Sequence, residues 1–229
     1  LIVQFPETNG NIICFVEDTL YFFDSEGNYL FMYLIPVLEY DQYNDSLFNL
    51  LTYKKEGDYS HFIITYILNV RIYILQYKAS NSEIILIYNG FFLPFYFDFP
   101  AITIRLNGLG CQIMNSQEKG KVLTCCFLTE KEKFIIVQSL QIENKYEPIK
   151  EDLYAKVGCE QTNVIVSVVS EDEKNLLTCY HDSNSHGFCF VFNIDTNQIL
   201  RNGPIIKEVT GSYKKLKLFY FKETKEIIN

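Results

Sequence analysis

Four stretches of this chain repeat one pattern: a short apolar strand, a turn, a second apolar strand, a polar turn and a third strand. They begin at Asn11-Ile-Ile-Cys-Phe-Val, His61-Phe-Ile-Ile-Thr-Tyr, Lys121-Val-Leu-Thr-Cys-Cys-Phe and Asn175-Leu-Leu-Thr-Cys-Tyr, so successive units start 50, 60 and 54 positions apart. Such a repeat constrains the fold more than any single motif, because a unit this small buries its faces only against its neighbours. Residue usage says that the units are sheets. The 229 residues include 19 Phe and 17 Tyr but only three alanines, Ala79, Ala101 and Ala155. Aromatic and β-branched side chains fit a pleated, half-buried surface, and the best helix former is nearly absent. An all-β fold follows, with at most one or two short helical turns. The best helical spacing, at Asp45 to Tyr53 and Lys145 to Tyr154, is too short or interrupted by proline. Asp24-Ser-Glu-Gly-Asn28 and Asn193-Ile-Asp-Thr-Asn197 read as hairpin turns between apolar strands.

A period near 40 to 50 residues with three or four strands per unit is the signature of β-propeller blades, each an antiparallel four-stranded sheet. Provisional blades run 1-45, 46-100, 101-160 and 161-211, with 212-229 opening a fifth, all within one domain, 1-229. The incomplete last unit implies a missing remainder, or a five- or six-bladed ring whose other blades lie elsewhere in a longer chain. Cys189-Phe-Val-Phe-Asn-Ile-Asp-Thr-Asn-Gln-Ile-Leu200 resembles the third-strand, turn, fourth-strand passage of a propeller blade. The Trp-Asp signature of the commonest propeller family is missing, since the chain has no Trp. The competing architecture is a two-sheet sandwich of irregular hairpins.

Charge and hydropathy exclude two classes of partner. With 28 Asp+Glu against 20 Lys+Arg, and no basic cluster longer than Lys54-Lys55 or Lys214-Lys215-x-Lys217, nucleic-acid binding through the phosphate backbone is not the main task. The most apolar stretches, Phe62 to Leu75 and Ile84 to Phe99, are broken by Asn69, Arg71, Asn89, Gly90 and Pro94. Neither supplies the roughly 18 uninterrupted apolar residues of a membrane-spanning helix. A chain that starts at Leu1 without a leader is expected to be a processed form or an excised fragment.

Seven cysteines carry a second repeat signal. Gly-Cys111 precedes Leu-Thr-Cys125-Cys126, Gly-Cys159 precedes Leu-Thr-Cys179, and Cys14 holds the equivalent slot in the first unit. Recurrence at one blade position suggests structural pairing, such as Cys111 with Cys125 or Cys126, and Cys159 with Cys179 or Cys189. Disulfides require an oxidising compartment; the alternative is reduced cysteines acting as small buried hydrophobes. The sequon Asn44-Asp-Ser46 is a glycosylation candidate and fits secretion. Cys179, His181, His186 and Cys189 have the chemistry of a zinc site. Cys179 and Cys189 also fall on two arms of one hairpin, where a cross-strand disulfide and turn histidines explain the same residues, so no metal is expected.

Catalytic groupings are weak. Only His61, His181 and His186 are available, and nothing near His61 marks a nucleophile elbow or an oxyanion loop. Asn107-Gly-Leu-Gly-Cys111 lacks the third glycine and the Lys-Ser/Thr of a phosphate loop. Glu171-Asp172-Glu173 and Glu151-Asp152 sit beside turns and read as solvated faces rather than paired glycosidase carboxylates. The densest feature is Phe91-Phe-Leu-Pro-Phe-Tyr-Phe-Asp-Phe-Pro100. Its aromatics, Phe91, Phe92, Phe95, Tyr96, Phe97 and Phe99, are partner-binding candidates, or else an inter-blade core with Tyr59, Tyr66 and Tyr88 as neighbours.

Ile, Phe, Tyr, Asn and Lys are abundant and Ala, Gly, Pro and Trp scarce, the bias of an A/T-rich genome. With the blade period and the cysteines inside blades, the chain resembles the disulfide-stapled propellers of apicomplexan parasite invasion proteins, of the cysteine-rich protective antigen type. That resemblance implies a secreted or cell-surface module that joins a protein complex. The expected function is therefore non-catalytic protein binding, with no cofactor and no small-molecule substrate. The alternatives are an intracellular scaffold propeller with reduced cysteines and a propeller-type glycoside hydrolase.

Overall fold

The computed structural model describes residues 2–5, 11–16, 19–35, 48–68, 71–92, 106–129, 133–143, 145–148, 155–159, 162, 165–181, 187–204, 219–221 and 226–228. Sheet one is the antiparallel meander β1 (Ile2–Phe5), β2 (Asn11–Val16), β3 (Thr19–Phe23) and β4 (Tyr29–Leu34). Sheet two repeats it with β5 (Phe48–Glu56), β6 (Tyr59–Leu68), β7 (Arg71–Ala79) and β8 (Ile84–Phe92). In sheet three, β9 (Leu106–Ser116), β10 (Gly120–Thr129) and β11 (Phe134–Gln141) are in order, and the fourth position is divided between β12 (Glu147–Pro148) and β13 (Ala155–Gly158), both paired with β11. Sheet four is β14 (Ile165–Val169), β15 (Asn175–His181), β16 (Gly187–Asn193) and β17 (Gln198–Pro204). A two-stranded ribbon of β18 (Phe219–Phe221) and β19 (Glu226–Ile228) follows.

Among the described residues there is no helix, and none is long and apolar enough to cross a membrane. The helical spacing at Asp45 to Tyr53, too short for a helix, gives strand from Phe48 onward, because pairing with β6 satisfies its backbone and buries Leu50. Lys145 and Tyr146 lie in a turn with positive φ, which no helix tolerates.

Two compact units divide the chain. Sheets one and two form the first, whose core packs Ile13, Leu20 and Phe22 with Phe62, Ile64, Leu75 and Tyr77. Aromatic contacts link the two sheets, with Phe22 6.2 Å from Phe62 and Tyr33 5.7 Å from Tyr77 between ring centroids. Sheets three and four belong to the second, where Met114, Val122, Cys126 and Leu128 meet Ile165, Leu176, Phe190 and Phe192. The two glycines of Asn107-Gly-Leu-Gly-Cys111 have structural duties here. Gly108, at φ 66°, is the extra residue of a bulge between Leu109 and Asn107, which face Phe127 and Leu128. At Gly110 the backbone approaches sheet four so closely that a Cβ would stand 2.7 Å from Ser167 Oγ.

The outer strands share one irregularity. β4, β8 and β17 each carry one residue more than the strand they pair with, namely Leu30, Ile87 and Leu200.

Candidate binding site

Strands of a meander run alternately up and down, so the β5–β6 and β7–β8 turns lie at one end of sheet two. Between them is a cleft of about 410 Å³ lined by Lys55, Asp58, Tyr59, Ser80, Asn81, Ser82 and Glu83. The turn at Ser80 is closed by backbone bonding from Ser80 N to Glu83 O at 2.9 Å, and Ser82 N donates to Ser80 Oγ at 3.3 Å. Asn11, at the start of β2, donates through Nδ2 to Asn81 Oδ1 at 2.6 Å and fixes that wall.

Tyr59 is held from two sides. Its hydroxyl donates to the Glu83 carboxylate, and Lys78 Nζ lies 4.7 Å from the ring centroid. The bond to Glu83, with some desolvation, pushes the Tyr59 phenol above its ordinary value, so it remains a donor. Among the described residues neither Lys55 Nζ nor the Asp58 carboxylate has an ion-pair or hydrogen-bond partner. Nothing in the sequence pattern marks this cleft except two polar turns 25 residues apart, which only the meander brings together.

The cysteines are sorted by strand alternation. Cys111 faces Cys125 across β9 and β10, and Cys179 faces Cys189 across β15 and β16; both pairs are disulfide-bonded, with Cα–Cα separations of 4.2 and 4.1 Å. Such separations belong to the closely spaced pairs of an antiparallel ladder, where opposed side chains meet. Cys126 points to the other face, into the core, and its sulfur lies 3.3 Å from Thr178 Oγ1, so the alternative pairing with Cys111 is corrected. Burial pushes the Cys126 thiol up to about 12. The suggested bond from Cys159 to Cys179 or Cys189 is also corrected, because those two face each other, while Cys159 is buried beyond β13 with its amide bonded to Lys133 O at 2.8 Å. The disulfide removes both thiolates from the zinc reading, and among the described residues no group of His, Cys, Asp and Glu is placed to hold a metal. Cys14 is half-buried in β2.

Phe91 and Phe92 fall on opposite faces of β8. Phe92 is 7% exposed and Phe91 45%, at the end of an aromatic row in which Tyr66 stacks on Tyr73 at 5.0 Å and Tyr73 lies 5.5 Å from Phe91. Phe95, Tyr96, Phe97, Phe99 and Asn44 lie outside the described residues. The outer strand β4 exposes Met32 at 63% and Leu34 at 60%.

His61 is buried, which pushes its imidazole below the ordinary histidine range, and its Nε2 is 3.3 Å from Glu56 Oε2. Glu173 pairs with Lys121 at 2.6 Å and Asp172 accepts from Ser170 and from Lys174 N, so this acidic run latches a turn of sheet four to sheet three. Glu151 and Asp152 are outside the described residues.

Four antiparallel sheets repeated along one chain, each built from strands consecutive in sequence, decide the fold. These sheets are propeller blades. A crystal structure of a protein from Lactobacillus plantarum is similar over 88% of this chain and 54% of its own, with a TM-score of 0.51 at 11% identity. The WD40 domain of SCAP from fission yeast aligns over 88% of this chain and 58% of its own, with a TM-score of 0.35 at 10% identity. The chain thus spans a little over half of each of these structures. No family model matches it, and no curated protein matches it.

Proposed function

We propose that the chain is a non-catalytic interaction module whose blades present side chains to a protein partner in a secreted or cell-surface complex. The observation that carries this reading is the exposure of large apolar side chains on the fourth strand of each sheet of the first unit: Tyr29, Met32 and Leu34 on β4, and Ile85, Ile87 and Phe91 on β8. Apolar surface of this kind, rimmed by polar turns, marks interaction sites. The two cross-strand disulfides support an oxidising compartment, in keeping with the resemblance to the invasion-protein propellers.

Two measurements test the reading. Protein from its native source, alkylated under denaturing conditions, is expected to show at least two disulfides by intact mass; seven alkylated thiols would make it an intracellular scaffold. Crosslinking on native cells, read by mass spectrometry, should give a partner lost on Met32→Glu with Leu34→Glu at unchanged melting temperature. A partner retained by that variant would remove β4 from the interface.

A further inference from the structure

We propose that the cleft between the β5–β6 and β7–β8 turns is a binding site for a neutral saccharide, independent of any protein partner. A volume of about 410 Å³ is within the range of small-ligand sites. Every lining residue carries a hydrogen-bonding group: an ammonium on Lys55, carboxylates on Asp58 and Glu83, hydroxyls on Tyr59, Ser80 and Ser82, and an amide on Asn81. This wall has no aliphatic side chain to hold a lipid or a flat apolar ligand.

The charges select against ions. Glu83 is engaged by the Tyr59 hydroxyl, which leaves the Asp58 carboxylate and the Lys55 ammonium in the lining, so a phosphate would meet a carboxylate and a cation an ammonium group. A sugar escapes this penalty. Its vicinal hydroxyls donate to the Asp58 carboxylate and accept from Lys55 Nζ, the two groups left without partners among the described residues. The neutral groups between these charges, Ser80, Asn81 and Ser82, suit further hydroxyls, whereas a zwitterionic peptide end would leave them unmatched. Asn81 Oδ1 is taken by Asn11, which leaves its amide hydrogens to donate. Tyr59 supplies the aromatic wall on which sugar C–H groups rest, and Glu83 and Lys78 fix it before the ligand arrives.

The test is saturation-transfer NMR on the full chain with glucose, galactose, N-acetylglucosamine, maltose and lactose at about 20 mM, the concentration suited to an open millimolar site. Inorganic phosphate and glycylglycine serve as charged comparators. At least one sugar is expected to show transfer, with Lys55→Met and Asp58→Asn each weakening it about tenfold at unchanged melting temperature. The proposal is overturned by silence from all five sugars, by equal binding to both variants, or by preferential binding of phosphate or glycylglycine.

Discussion

Replacing both Cys179 and Cys189 by alanine removes a cross-link that closes a loop of 10 residues at the hairpin of β15 and β16. In the chain-entropy model that loop contributes about 2.7 kcal/mol at 25 °C, and the 14-residue loop between Cys111 and Cys125 about 3.0 kcal/mol. For a chain of this length about 1 kcal/mol moves the melting midpoint by about 2–4 °C, so the Cys179→Ala, Cys189→Ala variant should melt about 5–11 °C lower than the oxidised protein. Both sulfurs are buried, so the variant also loses packing. The two effects separate in a scanning-calorimetry comparison of oxidised protein, the double-alanine variant, and wild type reduced in denaturant and refolded in reductant. Reduced wild type keeps its sulfur atoms and loses only the cross-links. It should therefore fall below the oxidised protein by the summed loop terms, while the double-alanine variant, reduced in the same way, differs from reduced wild type by packing alone. Equal midpoints, within about 1 °C, for oxidised wild type and the double-alanine variant would refute the assignment of this cross-link.

Gly110→Ala should cost about 1–3 kcal/mol in chemical denaturation, since the new Cβ displaces Ser167 Oγ, which is 2.9 Å from Thr178 Oγ1. Adding Ser167→Ala should recover part of that loss, and a cost below about 0.5 kcal/mol for Gly110→Ala would contradict the close approach. The Cys126 thiol, pushed up to about 12 by burial, should resist iodoacetamide at pH 8 until the protein unfolds, as read by peptide mass mapping. Asp195 is held below the ordinary carboxylate range first by the Gln117 amide and then by Lys174, and Asp172 by the Ser170 hydroxyl and the Lys174 amide. Their folded pKa values lie below the unfolded ones, so their contributions are present above about pH 4 and are lost as pH falls through the folded values. Asp195→Asn should flatten acid unfolding in that window, followed by circular dichroism; an unchanged acid limb would show that this latch does not form.

The repeat was legible because its four segments begin at β2, β6, β10 and β15, the second strand of each sheet. A second strand has neighbours on both sides and is covered on both faces, so it reads as an unbroken apolar run: Ser60 through Ile67 and Val122 through Leu128 are all buried. First strands carry weaker patterns. Around β5, Leu47, Leu50 and Leu51 fall at i, i+3 and i+4 in the sequence, which mimics helical spacing, and the glycines of β9 imitate a loop although one makes a bulge and the other a close contact. The choice between Cys125 and Cys126 as partner of Cys111 depended on strand register, which composition does not supply. The cleft was illegible for another reason: its residues are common turn formers, and only the order of the strands makes them neighbours.

The surplus residues Leu30, Ile87 and Leu200 bear on polymerisation. A regular outer strand presents evenly spaced amides and carbonyls that a second molecule can copy, strand upon strand, into a fibre. One inserted residue puts that spacing out of step and turns the strand away from the plane, so an incoming strand finds no continuous ladder. Whatever docks on these margins must read side chains rather than backbone, and concentrated solutions of the chain should stay free of thioflavin-positive fibres. Deleting Ile87 would restore an even ladder along β8 and is the change most apt to start them.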